Sequence, residues 1–260
     1  KSPAAALSAV QKAEATTTNP KQSGKPATWI KYGNALLDAY DAPVGNVWIG
    51  MSRQEFDLLG GETPSSEEVV TLGGRQMSKL AFETKNIYFN ENGLLEIIEV
   101  TAPVVENALD KAYEAFKHAA ELDANGKKTK DIVNGLTSVA KKFSDDAYTA
   151  YSFGDYELSS KLFENAAVAS GEQPLGQVDT NAIYNAGFTA WTAGQLDRAK
   201  LFYESCLSYG YYGEDGEVYS KLADIATKEG DNNAGKDYLE KGFAMFPQSQ
   251  SILVGLINYY

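Results

Sequence analysis

Residues 193–210 read AGQLDRAKLFYESCLSYG, and the same pattern stands at 153–170, FGDYELSSKLFENAAVAS, and at 229–246, EGDNNAGKDYLEKGFAMF. Each copy begins on a glycine turn, at Gly154, Gly194 and Gly230, and continues as an amphipathic helix. Ala199, Tyr203 and Cys206 are spaced by four and three residues; Ser159, Phe163 and Ala166 repeat that spacing, as do Gly235, Leu239 and Gly242. This places a large side chain between two small ones on one helical face, so that a second helix can approach closely. A second helix does precede each turn. Its own small residue, Ala147, Gly187 or Ala223, falls twelve positions before the first small residue of the copy. The turns are 40 and 36 residues apart, close to a helical-hairpin repeat of about 34. Pro247 closes the last copy, where a proline stops a helix.

This arrangement resembles the tetratricopeptide repeat family, whose pattern is W-x2-L-G-x2-Y, then A-x3-F, then P. The third copy carries Tyr219, Leu222, Ala223 and Ala226, then Gly235 and Leu239, then Pro247. The second carries Ala186, Gly187 and Ala190, then Ala199 and Tyr203. The first has Phe143, Ala147 and Ala150 ahead of Gly154. The best match to a leading helix lies far upstream, at residues 28–40, TWIKYGNALLDAY, with Trp29, Tyr32, Gly33 and Leu36 in place. Its partner helix is expected at 107–126, where Ala112, Phe116 and Ala119 have the right spacing. Gly33 precedes Ala112 by 79 residues instead of twelve, so an insertion is expected inside this hairpin. The resemblance implies a mainly α fold: a right-handed superhelix of hairpins, formed by residues 1–41 and 103–260, with a small α+β insertion at 42–102. Residues 3–15 read as a helix, either the cap of the array or the remnant of a preceding hairpin, 16–26 as a loop and 128–146 as a long helix entering the next unit. The chain ends SILVGLINYY, an apolar helix unlike a polar cap, so the array is expected to continue or to self-associate through it.

Within 42–102 the composition shifts to Gly, β-branched and aromatic residues. LAFETKNIYFNENGLLEIIEVT (80–101) alternates around an NENG turn. MSRQEFDLL (51–59) reads as a helix with Ser52 and Glu55 forming a capping box. About three strands and one or two helices are expected. Gly50-Met51-Ser52, Phe56, Leu59-Gly60, Pro64 and YFNENGLL resemble the small SmpA/OmlA-type outer-membrane lipoprotein domain. Gly60-Gly61 and Gly73-Gly74 lack the Lys-Ser/Thr of a phosphate loop and read as turns.

The formal charge of −12 argues against nucleic acid as partner. No apolar run is long enough to span a bilayer. One cysteine, Cys206, and one histidine, His118, leave no set for a thiolate zinc site or a Ser-His-Asp triad, and no catalytic residue, metal site or cofactor is expected. Scarce cysteine and the acidic balance fit export to a bacterial periplasm or envelope, though they also fit a cytoplasmic protein. The family resemblance implies a non-catalytic scaffold whose concave groove holds a protein or peptide. Candidate groove residues are Tyr148, Tyr151, Tyr184, Asn185, Phe188, Trp191, Lys221, Asp224 and Lys228, with Lys31 and Asn34 from the first hairpin. Ile30 stands where a carboxylate clamp would need Lys, so an aromatic groove is expected, with its tyrosines exposed. The alternative is a SusD-like glycan binder using the 16 tyrosines as platforms.

Overall fold

The computed structural model of the chain describes residues 1–59 and 61–260. Gly60, read above as part of a Leu-Gly turn and a Gly-Gly pair, lies outside the described residues. The elements run α1 (Pro3–Thr17), α2 (Pro26–Asp41), α3 (Arg53–Leu59), β1 (Ser66–Leu72), β2 (Arg75–Ala81), β3 (Lys85–Phe89), β4 (Leu95–Val100), α4 (Ala108–Leu122), α5 (Thr129–Ser152), α6 (Tyr156–Gly171), α7 (Thr180–Thr192), α8 (Leu196–Ser208), α9 (Glu217–Lys228), α10 (Asn232–Met245) and α11 (Gln250–Ile257). The chain is mainly α, with a small sheet set between α2 and α4. It divides into two compact units, Lys1–Gly154 with Val168–Gln177, and Asp155–Ala167 with Val178–Tyr260.

In the first unit α1 and α2 each start on a proline in the first turn, where its missing N–H costs nothing. Ser2 caps α1 by accepting from the Ala5 amide at 3.2 Å. A 3-10 turn, Ala42–Val44, holds Pro43 and ends α2. α2 then packs on α4, which arrives after the sheet. The contact is made by Phe116, fully buried against two glycines. A β-carbon on Gly33 would sit 2.7 Å from its ring, and one on Gly135 of α5 would sit 2.2 Å away. The expected small-large-small face of α4 is buried, with Ala112, Phe116 and Ala119 all at 0% exposure, and the two glycines of the neighbouring helices make the slot that the ring fills. Tyr40 at the end of α2 donates from its hydroxyl to Asp146 on α5.

The sheet is an antiparallel meander in the order β1-β2-β3-β4. Four strands form where about three were expected. β1 is the addition; its side chains are exposed on nearly every position, so its sequence carries no alternating pattern to read. The stretch 80–101 expected to alternate around NENG forms β3 and β4 on either side of that turn, but its first residues, Leu80 and Ala81, belong to β2, because Phe82–Thr84 turns the chain between β2 and β3. Gly73 and Gly74, with φ of 57° and 77°, form the two-residue turn from β1 to β2. Asn90 accepts from the amides of Asn92 and Leu94 in the NENG turn. The capping box of α3 is present: Ser52 Oγ accepts from Glu55 N at 3.0 Å, and Glu55 Oε2 accepts from Ser52 N at 2.8 Å. One sheet face buries Leu80, Ile87, Phe89 and Leu95 with Val47, Met51 and Phe56. The other buries Met77, Tyr88 and Ile97 with Phe153 packed against them. This alternation is the period-two pattern of a strand buried on both faces. Lys85 on β3 is 1% exposed, with its Nζ 2.7 Å from Glu62 and 5.0 Å from the Phe82 ring centroid. The pairing offsets part of the cost of burying its charge.

In the second unit the repeat register is direct. A β-carbon on Gly187 of α7 would meet Phe202 and Tyr203 of α8 at 3.2 and 3.4 Å. On Gly235 of α10 it would meet Ala223 and Thr227 of α9, and on Gly242 it would meet Tyr219 and Ile252. Tyr203, Cys206, Val218, Leu222 and Ile225 form the core joining the two hairpins. The turn glycines share one geometry. Gly194 and Gly230 have φ of 78° and 84°. The amides after them, Gln195 and Asp231, donate back to Ala190 O and Ala226 O. This is a Schellman closure, which needs the left-handed conformation glycine adopts without strain. Asp179, Asp231 and Ser249 then cap α7, α10 and α11.

Candidate binding face on α7 and α9

Tyr184, Phe188 and Trp191 lie at positions i, i+4 and i+7 of α7 and so share one face. Glu217, Lys221 and Asp224 have the same spacing on α9. The two rows meet as a ladder with a constant offset of 33 residues. The Tyr184 hydroxyl donates to Glu217 Oε1 across that offset. Lys221 Nζ stands 5.9 Å from the Phe188 ring centroid. Trp191 Nε1 donates to Asp224 Oδ2 at 2.8 Å, again 33 residues on. The rungs are cross-braced. Lys221 Nζ is 3.6 Å from the Trp191 ring centroid and Lys228 Nζ is 5.3 Å from it. Lys228 also pairs with Asp224 at 2.9 Å. The rings themselves stack along α7, Tyr184 on Phe188 and Phe188 on Trp191, with centroids 6.4 and 6.5 Å apart.

The electrostatics follow from these contacts. Burial raises the Tyr184 phenol, and the hydrogen bond to Glu217 and that residue's charge add to it. For Asp224 burial acts upward, but hydrogen bonds from Lys228 and Trp191 and the nearby lysine charges outweigh it and lower the carboxyl. The result is a half-buried surface with an aromatic row, fixed carboxylates and two ammonium groups. Neighbouring Cys206 is buried, and burial pushes its thiol up to about 12, so it offers no thiolate at neutral pH.

Of the expected groove residues, Tyr184, Phe188, Trp191, Lys221, Asp224 and Lys228 come together here. Asn185 lies beside them on α7, and its carbonyl accepts from Thr189. Tyr148 and Tyr151 belong to α5 of the other unit, 50% and 42% exposed. Exposure was expected of all three tyrosines, but Tyr184 is only half-exposed, because its ring packs edge-on against Tyr203 and Tyr211. Lys31 and Asn34 are exposed on α2, whereas Ile30 is buried in the hairpin. Glu217 was missed. The signal was present, since it follows Tyr184 at the same offset that separates Trp191 from Asp224.

The tetratricopeptide repeat family model matches residues 180–209 and 216–249. These are the hairpins α7–α8 and α9–α10, which carry the ladder. A comparison with curated proteins gives no match to the chain. Residues 180–249 are thus similar to tetratricopeptide repeats, a type of repeat that mediates protein–protein interaction.

Proposed function

We propose that this protein is a non-catalytic scaffold that holds a peptide or protein partner against the α7–α9 face. The observation that carries the reading is the ladder of aromatic and charged groups, half-exposed and braced on two packed hairpins. Aromatic side chains held rigidly at the floor of a surface supply contact area at low entropic cost. Lys221 and Lys228 add charge that orients a partner. Capture from the source cell with wild-type protein and with Tyr184→Ala/Trp191→Ala is the test. Wild type recovers a partner that the variant loses by tenfold or more; equal recovery rules out this face. Saturable signal on a glycan array, lost in the same variant, would point to the glycan-binding reading instead.

Residues 42–102 are the element added to the repeat array of 1–41 and 103–260. Their resemblance to SmpA/OmlA-type domains favours a place in the bacterial envelope. Cell fractionation checks this; recovery in the cytoplasm alone would exclude it.

A further inference from the structure

β1 is an open edge of the sheet, and one set of its backbone groups has no strand partner. The two-residue turn at Gly73-Gly74 makes Leu72 and Arg75 a hydrogen-bonded pair, and the alternation of an antiparallel ladder then makes Val70–Met77 and Glu68–Lys79 the next two. The following turn agrees. Phe82 N donates to Lys85 O at 2.8 Å, so the even-numbered residues of β2 bond to β3 and the odd-numbered ones to β1. The N–H and C=O groups of Glu67, Val69 and Thr71 therefore point outward along one edge. All three residues are exposed, Val69 at 68%.

The opposite edge is closed by devices that β1 lacks. On β4 the N–H of Leu95 donates to Met51 O at 2.8 Å and its C=O accepts from Gly50 N at 2.7 Å. The ladder of β4 with β3 also breaks register between Tyr88 and Phe89. β1 instead runs seven residues in unbroken register, with no proline, lysine or arginine. Its two carboxylates have partners within the chain. Glu67 accepts two N–H groups of Arg53 at 2.7 and 3.1 Å, and Glu68 lies 3.8 Å from Lys79. This lowers the repulsion that an approaching strand meets.

We propose that β1 pairs with β1 of a second copy of this chain, antiparallel about a two-fold axis at Val69, joining the two sheets into one. In this register Val69 faces Val69 of the second copy and Glu67 faces Thr71, so every outward N–H and C=O of both strands finds a partner. No carboxylate meets another, because Glu68 faces Val70. An axis at Glu67 would set that carboxylate against itself, and one at Thr71 would run the pairing into the Gly73-Gly74 turn. The two-fold uses up both open edges and leaves the closed β4 edges outside, so association stops at two copies. A single strand pair buries less than the roughly 1,200 Å² of a stable interface, so the dimer is weak and set by concentration. In dilute protein the monomer prevails and its outward β1 amides are open to exchange. The pairing is independent of the α7–α9 face.

The test follows self-association from dilute to millimolar protein by sedimentation equilibrium, with hydrogen exchange at the same concentrations. The expected result is a reversible dimer in which the amides of Glu67, Val69 and Thr71 slow in step with the paired fraction, while those of the apolar α11 do not respond. Val69 is exposed and its N–H takes no part in the ladder with β2, so it can be changed without unfolding the sheet. Because the register sets residue 69 against itself, Val69→Lys alone and Val69→Glu alone should each weaken the dimer about fivefold or more. An equimolar mixture of the two variants should restore it as a heterodimer. A chain that stays monomeric at millimolar concentration overturns the proposal. So does a dimer that leaves the β1 amides unprotected, a Val69→Lys chain that pairs as well as wild type, or a mixture that pairs no better than either variant alone.

Discussion

Phe116 and its two glycines show how single residues set this fold. Gly33 stood out in the sequence because it occupies the small position of a recognisable helix. Gly135 did not; it lies in a long helix read only for its length, and nothing local marks it as the second wall of the slot. Asp146 is a similar case. Its role depends on Tyr40, 106 residues away. Burial raises its carboxyl to about 6; the Tyr40 hydrogen bond and Lys142 oppose this and Asp145 adds to it. An unfolded aspartate titrates near 3.9, so between these values the folded state holds a proton that the unfolded state releases. The stability from this group is therefore complete below about pH 4 and is lost as pH rises through about 6. Asp146→Asn keeps an acceptor for Tyr40 but cannot titrate. The melting temperature of the variant should gain on wild type between pH 4 and 6 and keep a constant offset above pH 7. A difference that does not vary with pH would contradict the assignment.

The individual elements differ in how legible they were. Helices with capping signals were readable, as the α3 box shows, because the signal lies within four residues. The turns at Gly194 and Gly230 were readable because only glycine closes them without strain. β1 was not. A strand exposed on both faces shows no alternation, and its pairing partner defines it. The same exposure predicts its dynamics. β1 is an edge strand with little burial, whereas β3 is buried at four of five positions. In hydrogen exchange the amides of Glu67, Val69 and Thr71, which face away from β2 across the two-residue turn, should exchange at least tenfold faster than those of Ile87 and Phe89. Equal protection in the two strands would mean that β1 is covered in solution. The α7–α9 ladder was half legible. The aromatic row followed from helical spacing, but Glu217 and the indole bond to Asp224 depend on the stacking of two hairpins.

On the scale of the molecule, the chain leaves a helical hairpin after its first helix, builds a four-stranded sheet with its own core, and returns 67 residues later to complete the pair. The repeat spacing made this readable, because α2 and α4 each carry their half of a pattern that the other completes. What the sheet would look like was less clear, since its register is fixed by pairings and turns rather than by the repeat. The pairing of α2 with α4 is the central claim, and a double-mutant cycle tests it. Gly33→Ala should cost about 1–3 kcal/mol in wild type, because its β-carbon would lie 2.7 Å from the Phe116 ring. Phe116→Ala alone should cost about 3–5 kcal/mol; Phe116→Val serves if too little folded protein remains. Gly24→Ala, with nothing nearby, should stay within about 0.5 kcal/mol of wild type. In the Phe116→Ala background the predicted result of Gly33→Ala is a change of sign, a gain of about 0.5–1 kcal/mol from helix propensity once the ring is gone. An equal cost of Gly33→Ala in both backgrounds, measured by urea unfolding, would contradict the pairing.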